Sequence, residues 1–231
     1  MNTPLVDSHC HLDLYADYER VFAAARNSAA EFLAVTTTPL AWEQNRQLAA
    51  GSANIQVGLG LHPQLVGQPV ADVAAFARAI EASRFVGEVG LDAGPRHYKT
   101  FNEQRTVFAE ILRLCARFPG KVLSIHCVRA FKEIFALLDE HWSPPCGTLI
   151  FHWFSGTCAD ARRATERGCF FSINPLMANK DSAHRLLVEI PLDRLLTETD
   201  GPFTENVSQA PRQPGDVQSA LELIASAKDL S

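Results

Sequence analysis

The sequence predicts an α/β protein of the (β/α)8 TIM-barrel class, and three observations lead to that prediction. Short apolar stretches alternate with longer amphipathic ones along the whole chain. Eight strand-then-helix pairs can be counted, and their strands are almost continuously apolar, as in parallel sheets covered by helices. The length of 231 residues is close to that of one barrel, typically about 250. We therefore predict a single barrel domain over residues 1–231. An open doubly wound sheet is the alternative, but no G-x-G-x-x-G follows the first strand.

The strands are predicted from apolar and β-branched runs. In chain order they are "PLVDSHCH", "EFLAVTTTP", "IQVGLGLHP", "RFVGEVGLD", "KVLSIHCV", "GTLIFHWFSG", "CFFSINP" and "DRLLTETDGP". The helices between them are predicted from apolar residues repeating at i, i+3 and i+4. Their patterns cover 18–30, the region of Trp42 and Leu48, Val73 to Ile80 after a cap at Asp72, Phe108 to Cys115, Phe131 to Leu138, 158–167, 182–190 and Asp216 to Ile224. The piece "QAPRQPG" is predicted to be the loop before the last helix.

Composition and charge exclude several classes of protein. A net charge of −5 argues against a protein that binds nucleic acid over its whole surface, so any polyanion must be held locally. No apolar run reaches the roughly 18 to 20 residues that span a bilayer, and no secretion signal begins the chain. The six cysteines include no C-x-x-C pair, which is typical of reduced thiols. We predict a cytoplasmic protein with no membrane association.

Polar residues interrupt the apolar strands near their carboxyl ends. In "SHCH", His9 and His11 point to one side of the strand and Cys10 to the other. Similar positions on four other strands hold an imidazole or a carboxylate: Glu88, His126, His152 and Asp200. The carboxyl ends of barrel strands converge on one mouth, so these six side chains are expected to meet around one or two divalent cations. The alternative is that each is a separately hydrogen-bonded core residue.

The predicted ligand set indicates metal-assisted hydrolysis. Imidazoles and carboxylates suit Zn or Mn by ligand softness, and Mg is possible but less favoured. A metal of this kind lowers the pKa of bound water and polarises the scissile group. Asp200 is the candidate to orient or deprotonate the water, and Glu88 is the candidate to bridge two metals. No serine lies in a G-x-S-x-G nucleophile elbow.

The motifs "DSHCHLD", "GLHP", "VGEVGLD", "SIHC", "FHWFSG" and "TETDGPF" together resemble the TatD family of metal-dependent hydrolases, in order and over nearly the whole chain. The resemblance implies a (β/α)8 barrel, a divalent-metal site and deoxyribonuclease activity, often exonucleolytic from the 3′ end. It places His9, His11, Glu88, His126, His152 and Asp200 on the metal-ligand positions. His62 in "GLHP" falls on a position that resembles a substrate-phosphate contact.

Finer details resemble the TatD-like component of Qat anti-phage defence systems. These details are "AVTTTP", "GLHPQL", "IFHWFSG" and "TETDGPF". This resemblance implies other Qat proteins as partners, an ATPase and a nucleoside-modifying enzyme among them. Three departures from the TatD family pattern are expected to alter the substrate mouth and leave the metal ligands intact. They are Arg129 displaced by one position, Gly201 in place of serine, and "RQPGDV" where the family has an N-E-P signature before the last helix.

The substrate is predicted to be DNA, at single strands or strand ends. His62, Arg96, Arg129 and Arg212 lie on predicted mouth loops and could hold phosphates locally. Trp153, Tyr98 and Phe203 could stack on unpaired bases, although Trp153 could instead pack outward against helices. A deep barrel mouth suits the end of a DNA strand better than an uninterrupted duplex, which favours an exonuclease. Two alternatives remain open: a hydrolase of an amide, ester or modified nucleoside, and a non-catalytic binding component.

Overall fold

The computed structural model describes residues 4–143, 146–179 and 183–230. Eight strands in this part of the chain form a sheet whose strand order is the chain order, and the neighbouring pairs with a defined register run parallel. The strands are β1 Val6–Cys10, β2 Glu31–Val35, β3 Ile55–Leu59, β4 Phe85–Asp92, β5 Lys121–Val128, β6 Gly147–Phe151, β7 Phe170–Ile173 and β8 Leu195–Thr197. With a helix in every connection, this is the (β/α)8 class, and the predicted fold class is confirmed.

The helices occupy the predicted places with small shifts at their ends. They are α1 Tyr18–Arg26, α2 Pro39–Leu48, α3 Val73–Ala79, α4 Phe101–Arg117, α5 Phe131–His141, α6 Cys158–Glu166, α7 Ala183–Glu189 and α8 Gln218–Ala227. Helix α1 ends at Arg26, before the predicted residue 30, and the Asn27 side chain donates to the Ala23 carbonyl of its last turn. The predicted start of the seventh helix, Ser182, lies outside the described residues. In the described part of the chain, no helix is long and apolar enough to cross a membrane.

Several strands end earlier than the sequence predicts, and β6 and β8 are two of them. Strands β6 and β8 stop at Phe151 and Thr197, so His152 and Asp200 follow their strands. Trp153 and Asp200 have positive φ angles of 39° and 50°, which turn the backbone away from the parallel ladder. Apolar composition alone does not reveal where such a turn begins.

The chain divides into two compact units, and unit 1 contains Met1–Ala34, Asn45–Gln56 and His152–Ser231. Its apolar core includes Phe154 and Phe171, whose rings meet edge to face at 4.9 Å. The first and last strands are joined within this unit, where the Ser8 hydroxyl donates to the Thr197 carbonyl over 2.9 Å. This hydrogen bond holds the carboxyl ends of β1 and β8 next to each other.

Unit 2 contains Val35–Gln44 and Val57–Phe151. Phe131 and Phe135 of α5 pack on Phe151 of β6, with ring centroids 5.7 and 5.9 Å away. Gly90 pairs with His126 where β4 and β5 run side by side. A Cβ at Gly90 would lie 2.1 Å from the His126 carbonyl oxygen, so this close approach of the strands requires glycine.

Candidate metal-binding clusters

In unit 2, three buried side chains form a group that we call the Glu88 cluster: His62, Glu88 and His126. Glu88 Oε1 lies 2.6 Å from His126 Nδ1 and 3.1 Å from His62 Nε2. One possible ligand atom from each of the three residues lies within 4.8 Å of the other two. The cluster brings together two predicted ligands and the predicted phosphate contact.

Backbone hydrogen bonds position the Glu88 cluster. The Glu88 amide donates to the Thr36 carbonyl over 2.8 Å, and its carbonyl accepts from Leu61 at 3.1 Å. His62 Nδ1 accepts a hydrogen bond from the Gln64 amide. In a neutral imidazole the proton is then on Nε2, the nitrogen that faces Glu88. This tautomer makes His62 a hydrogen-bond donor, which suits contact with an oxygen better than metal ligation.

Asp92, at the end of β4, holds His126 from its other side and was not identified from the sequence. Its Oδ2 lies 3.3 Å from His126 Nε2 and accepts from Gln64 at 2.7 Å, and its Oδ1 accepts from the Gly94 amide at 2.7 Å. Burial opposes ionisation, but the bonds from His126, Gln64 and Gly94 outweigh it and lower the pKa of Asp92 below its usual range. A carboxylate on the second nitrogen of a histidine fixes the ring orientation.

In unit 1, five buried side chains form a second group, the Glu198 cluster: His9, His11, His152, Glu198 and Asp200. Asp200 Oδ1 lies 3.6 Å from both His9 Nε2 and His11 Nε2. Glu198 Oε2 lies 3.8 Å from His152 Nδ1. The rings of His9 and His152 stack with centroids 3.8 Å apart. Four predicted ligands therefore lie together in this cluster.

Glu198 is a member that sequence reasoning missed. It is fully buried, its Oε2 accepts from the Ser172 hydroxyl, and its Oε1 has no hydrogen-bond partner among the described residues. Burying a carboxylate without compensating partners is costly. The signal was present in "TETDGP", where Glu198 stands two residues before Asp200.

A buried hydrogen-bond network fixes the segment that carries Glu198 and Asp200. Asp7 accepts from the Thr199 amide at 2.9 Å, from the Thr199 hydroxyl at 2.7 Å and from the Gly215 amide at 2.9 Å. Burial raises the pKa of Asp7 to about 6, against the lowering effect of these bonds. The Asp200 amide donates to the His9 carbonyl, and the His11 amide donates to the Gly201 carbonyl, both over 2.9 Å. The end of β1 and the segment after β8 are therefore held in register.

Both clusters have a donor set that fits a divalent metal ion. Ligand bonds of about 2.0 to 2.2 Å place two ligands of one ion roughly 3 to 4 Å apart. The separations of 3.6 to 3.8 Å in the Glu198 cluster already have that spacing. In the Glu88 cluster, the 2.6 Å contact between His126 and Glu88 is a hydrogen-bond distance. It must lengthen before both atoms can bind the same ion.

Left-handed backbone occurs beside both clusters. Arg129, Trp153 and Asp200 have φ angles of 54°, 39° and 50°, in the region that side chains other than glycine adopt rarely. Arg129 lies three residues after His126, Trp153 directly follows His152, and Asp200 is itself a member of the Glu198 cluster. Strain of this kind concentrates at functional sites.

The predicted substrate contacts differ in accessibility. Arg96 and Arg129 are exposed on the loops after β4 and β5, and Trp153 is partly exposed. Arg212 is buried, and its Nη1 lies 2.9 Å from Asp216 Oδ2. Arg212 therefore stabilises the loop before α8, whereas Arg96 and Arg129 are open to solvent.

Comparisons with known proteins identify the family of this chain. The family model described as TatD related DNase matches residues 6–231. An uncharacterized metal-dependent hydrolase of Escherichia coli K12, YcfH, is 30% identical over 98% of this chain and 89% of its own length. The 3′-5′ ssDNA/RNA exonuclease TatD of Cronobacter sakazakii is 32% identical over 85% of this chain and 76% of its own length. The crystal structure of a TatD homolog from Escherichia coli matches with a TM-score of 0.85 at 22% identity, covering 96% of this chain and 90% of that one.

Proposed function

The chain belongs to the family of TatD-related DNases, and on that premise we propose that it removes nucleotides from single-stranded DNA or from DNA ends. It is a TatD-type metal-dependent hydrolase of ester bonds. The observation that carries the proposal is the Glu198 cluster. There the buried Glu198 carboxylate has one oxygen, Oε1, with no hydrogen-bond partner among the described residues, and its other oxygen, Oε2, lies 3.8 Å from His152 Nδ1.

Each cluster has residues suited to a defined part of the reaction. A bound divalent metal would supply an activated water and polarise the phosphoryl group. His9, His11, His152, Asp200 and Glu198 would hold metal in unit 1, and Glu88 with His126 would hold it in unit 2. Asp200 would orient the attacking water or accept its proton. His62 would donate a hydrogen bond from Nε2 to a phosphate oxygen once that nitrogen leaves its 3.1 Å contact with Glu88 Oε1.

The substrate is held by local positive charge on an acidic protein. Arg96 and Arg129 are exposed on loops that follow β4 and β5, the strands that carry Glu88 and His126. Phosphate contacts of this kind position a strand without reading its sequence. Preference for single strands and cleavage from the 3′ end are supported by the name of the Cronobacter relative, which also makes RNA a substrate to be tested.

The test combines elemental analysis with a nuclease assay in the presence and absence of EDTA. We expect stoichiometric Zn, Mn or Mg and stepwise release of nucleotides from labelled single-stranded DNA. EDTA should abolish cleavage, and added metal should restore it. Cleavage that persists without metal would contradict the proposal. A metal-loaded protein that cleaves neither DNA nor RNA would point to an amide, ester or nucleoside substrate.

We further propose that this hydrolase acts in the cytoplasm within an anti-phage defence system, as QatD beside the other Qat proteins. Support comes from the sequence details "AVTTTP", "GLHPQL" and "TETDGPF". We expect cells that carry the complete system to resist phage, and a His9→Ala, His11→Ala variant to lose that resistance. Full resistance with the variant, together with no co-purification of Qat partners, would reject this role.

A further inference from the structure

We propose that Phe203 is a stacking platform for the nucleobase of the nucleotide whose phosphate is bound beside His11 and Asp200. This inference rests on the proposed nuclease function, because it assigns a base-binding position to the same site. The sequence leaves three aromatic residues as candidates for stacking, and the structure distinguishes among them.

The backbone on both sides of Phe203 is fixed. The Phe203 amide donates to the Asp200 carbonyl over 2.9 Å. The next residue, Thr204, is fully buried, and its hydroxyl donates to the Thr199 carbonyl over 2.6 Å. The Thr204 carbonyl accepts from the Arg212 amide at 2.8 Å. The position of Phe203 is therefore set by the segment that carries Asp200.

The Phe203 ring is exposed and contacts a proposed ligand. Its residue exposure is 60%, and its ring meets the His11 imidazole edge to face with centroids 5.2 Å apart. An isolated exposed apolar side chain is common and by itself carries no meaning. The contact with His11 places this ring beside the Glu198 cluster, where the proposed phosphate would bind.

The other two candidates are less suitable. Tyr98 is 63% exposed, but one face of its ring stacks on Phe101 at 5.6 Å, nearly parallel. Trp153 is only partly exposed. Phe203 combines an accessible ring with direct contact to a cluster residue.

The loop that follows Phe203 is built to hold its shape. Residues Glu205 and Pro211 form an antiparallel bridge, and the buried Arg212 guanidinium joins the Glu205 carbonyl and Asp216. An aromatic ring on a fixed segment loses little conformational freedom when a base stacks on it.

Stacking on Phe203 predicts a specific preference. Every base has an aromatic face, so the contact tolerates any sequence and accepts DNA or RNA. A base inside a duplex is already stacked and paired, so a single-stranded end is favoured. Loss of one such contact should weaken binding by roughly 5- to 100-fold.

The experiment measures binding separately from catalysis. The metal-loaded protein is mixed with single-stranded DNA that carries 2-aminopurine at the 3′ terminus and hydrolysis-resistant phosphorothioates at the last linkages. Wild-type protein should quench the probe by stacking. Phe203→Ala and Phe203→Leu should lose both quenching and affinity, whereas Phe203→Trp should keep them. Phe170→Ala is the matched control, because Phe170 is partly exposed in the same unit but lies at the amino end of β7.

The outcomes separate this inference from the proposed function. An oligonucleotide with an abasic last nucleotide should bind wild type and Phe203→Ala equally. If wild type binds and cleaves DNA but Phe203→Ala and Phe203→Leu match it in affinity and quenching, the stacking role is overturned and the nuclease function stands. If wild type neither binds nor cleaves nucleic acid, the proposed function itself fails, and this inference fails with it.

Discussion

The Glu198 cluster and the Glu88 cluster contain the same types of side chain but differ in their spacing. In the Glu88 cluster, imidazole and carboxylate atoms lie 2.6 to 3.1 Å apart, within hydrogen-bond range. In the Glu198 cluster the corresponding distances are 3.6 to 3.8 Å, the spacing of ligands around one ion. The Glu88 cluster is thus stabilised by its own hydrogen bonds, and we expect the Glu198 cluster to accept a cation with less rearrangement. We therefore expect tighter metal binding in unit 1.

The largest effect should come from removing two histidines: His9, which lies in β1, and His11, which directly follows β1. The variant His9→Ala, His11→Ala should lose the metal of the Glu198 cluster and slow phosphodiester cleavage by roughly 1,000-fold or more, because metal catalysis supplies several kcal/mol. Metal content and cleavage rate measure this. Glu222→Gln, an exposed change on α8, is the control. Unchanged activity in the double variant would remove the Glu198 cluster from the mechanism.

Glutamine substitutions at the two glutamates should act in opposite directions on the metal-free protein. Glu198→Gln removes a buried charge, so the melting temperature without metal should rise or stay level. Glu88→Gln disrupts the contacts with His126 and His62 and should lower stability by about 1 to 3 kcal/mol. Both variants should bind metal about 10- to 100-fold more weakly, judged by metal-induced thermal shifts. Equal destabilisation by both would show that the clusters do not differ as described.

Asp92→Asn tests whether the Glu88 cluster depends on its outer carboxylate. The substitution removes the charge that faces His126 Nε2, and we expect metal affinity in unit 2 to fall by about 10- to 100-fold. Metal titration followed by calorimetry should show the tighter class of sites unchanged. If only the tighter sites lost metal affinity, unit 2 would be the unit that binds metal more tightly, contrary to our expectation.

The last prediction concerns the packing beside Asp200 and is an effect on stability. A Cβ at Gly201 would lie 2.0 Å from the Tyr15 hydroxyl and 2.4 Å from the Arg212 carbonyl. Gly201→Ser should therefore destabilise the protein by about 1 to 3 kcal/mol in denaturant titrations. Tyr15→Phe removes the nearer obstacle and should recover part of the loss in the double variant. A fully stable Gly201→Ser protein would mean that the segment after β8 can shift.

Much of the fold could be predicted from local patterns. The strand runs and the helical repeats each fall on an observed element, because apolar periodicity reflects which side of an element is buried. The ends of the elements were less predictable. Strand β8 stops at Thr197, and two residues later the Thr199 amide donates to the carboxylate of Asp7, which is far away in the sequence.

The candidate sites were predicted in part, and the omissions have a common cause. His9, His11, His152 and Asp200 were identified as polar residues near strand ends, and the structure brings them together in unit 1. Their roles as ligands remain a prediction. Glu198 and Asp92 were missed because neighbouring carboxylates in "TETDGP" and "VGEVGLD" look equivalent in sequence.

The fold class and the chemical type of the site could be predicted from the chain alone, because hydrophobic periodicity and the positions of imidazoles and carboxylates are properties of the sequence. The spacing of those groups depends on tertiary contacts. The tertiary structure set Glu88 within hydrogen-bond distance of His126, left Glu198 buried at 3.8 Å from His152, and exposed Phe203 beside His11. Beside these groups the backbone has positive φ angles at Arg129, Trp153 and Asp200, and it closely approaches distant parts of the chain at Gly90 and Gly201. Local sequence patterns specify neither feature, because both depend on residues far apart in the sequence.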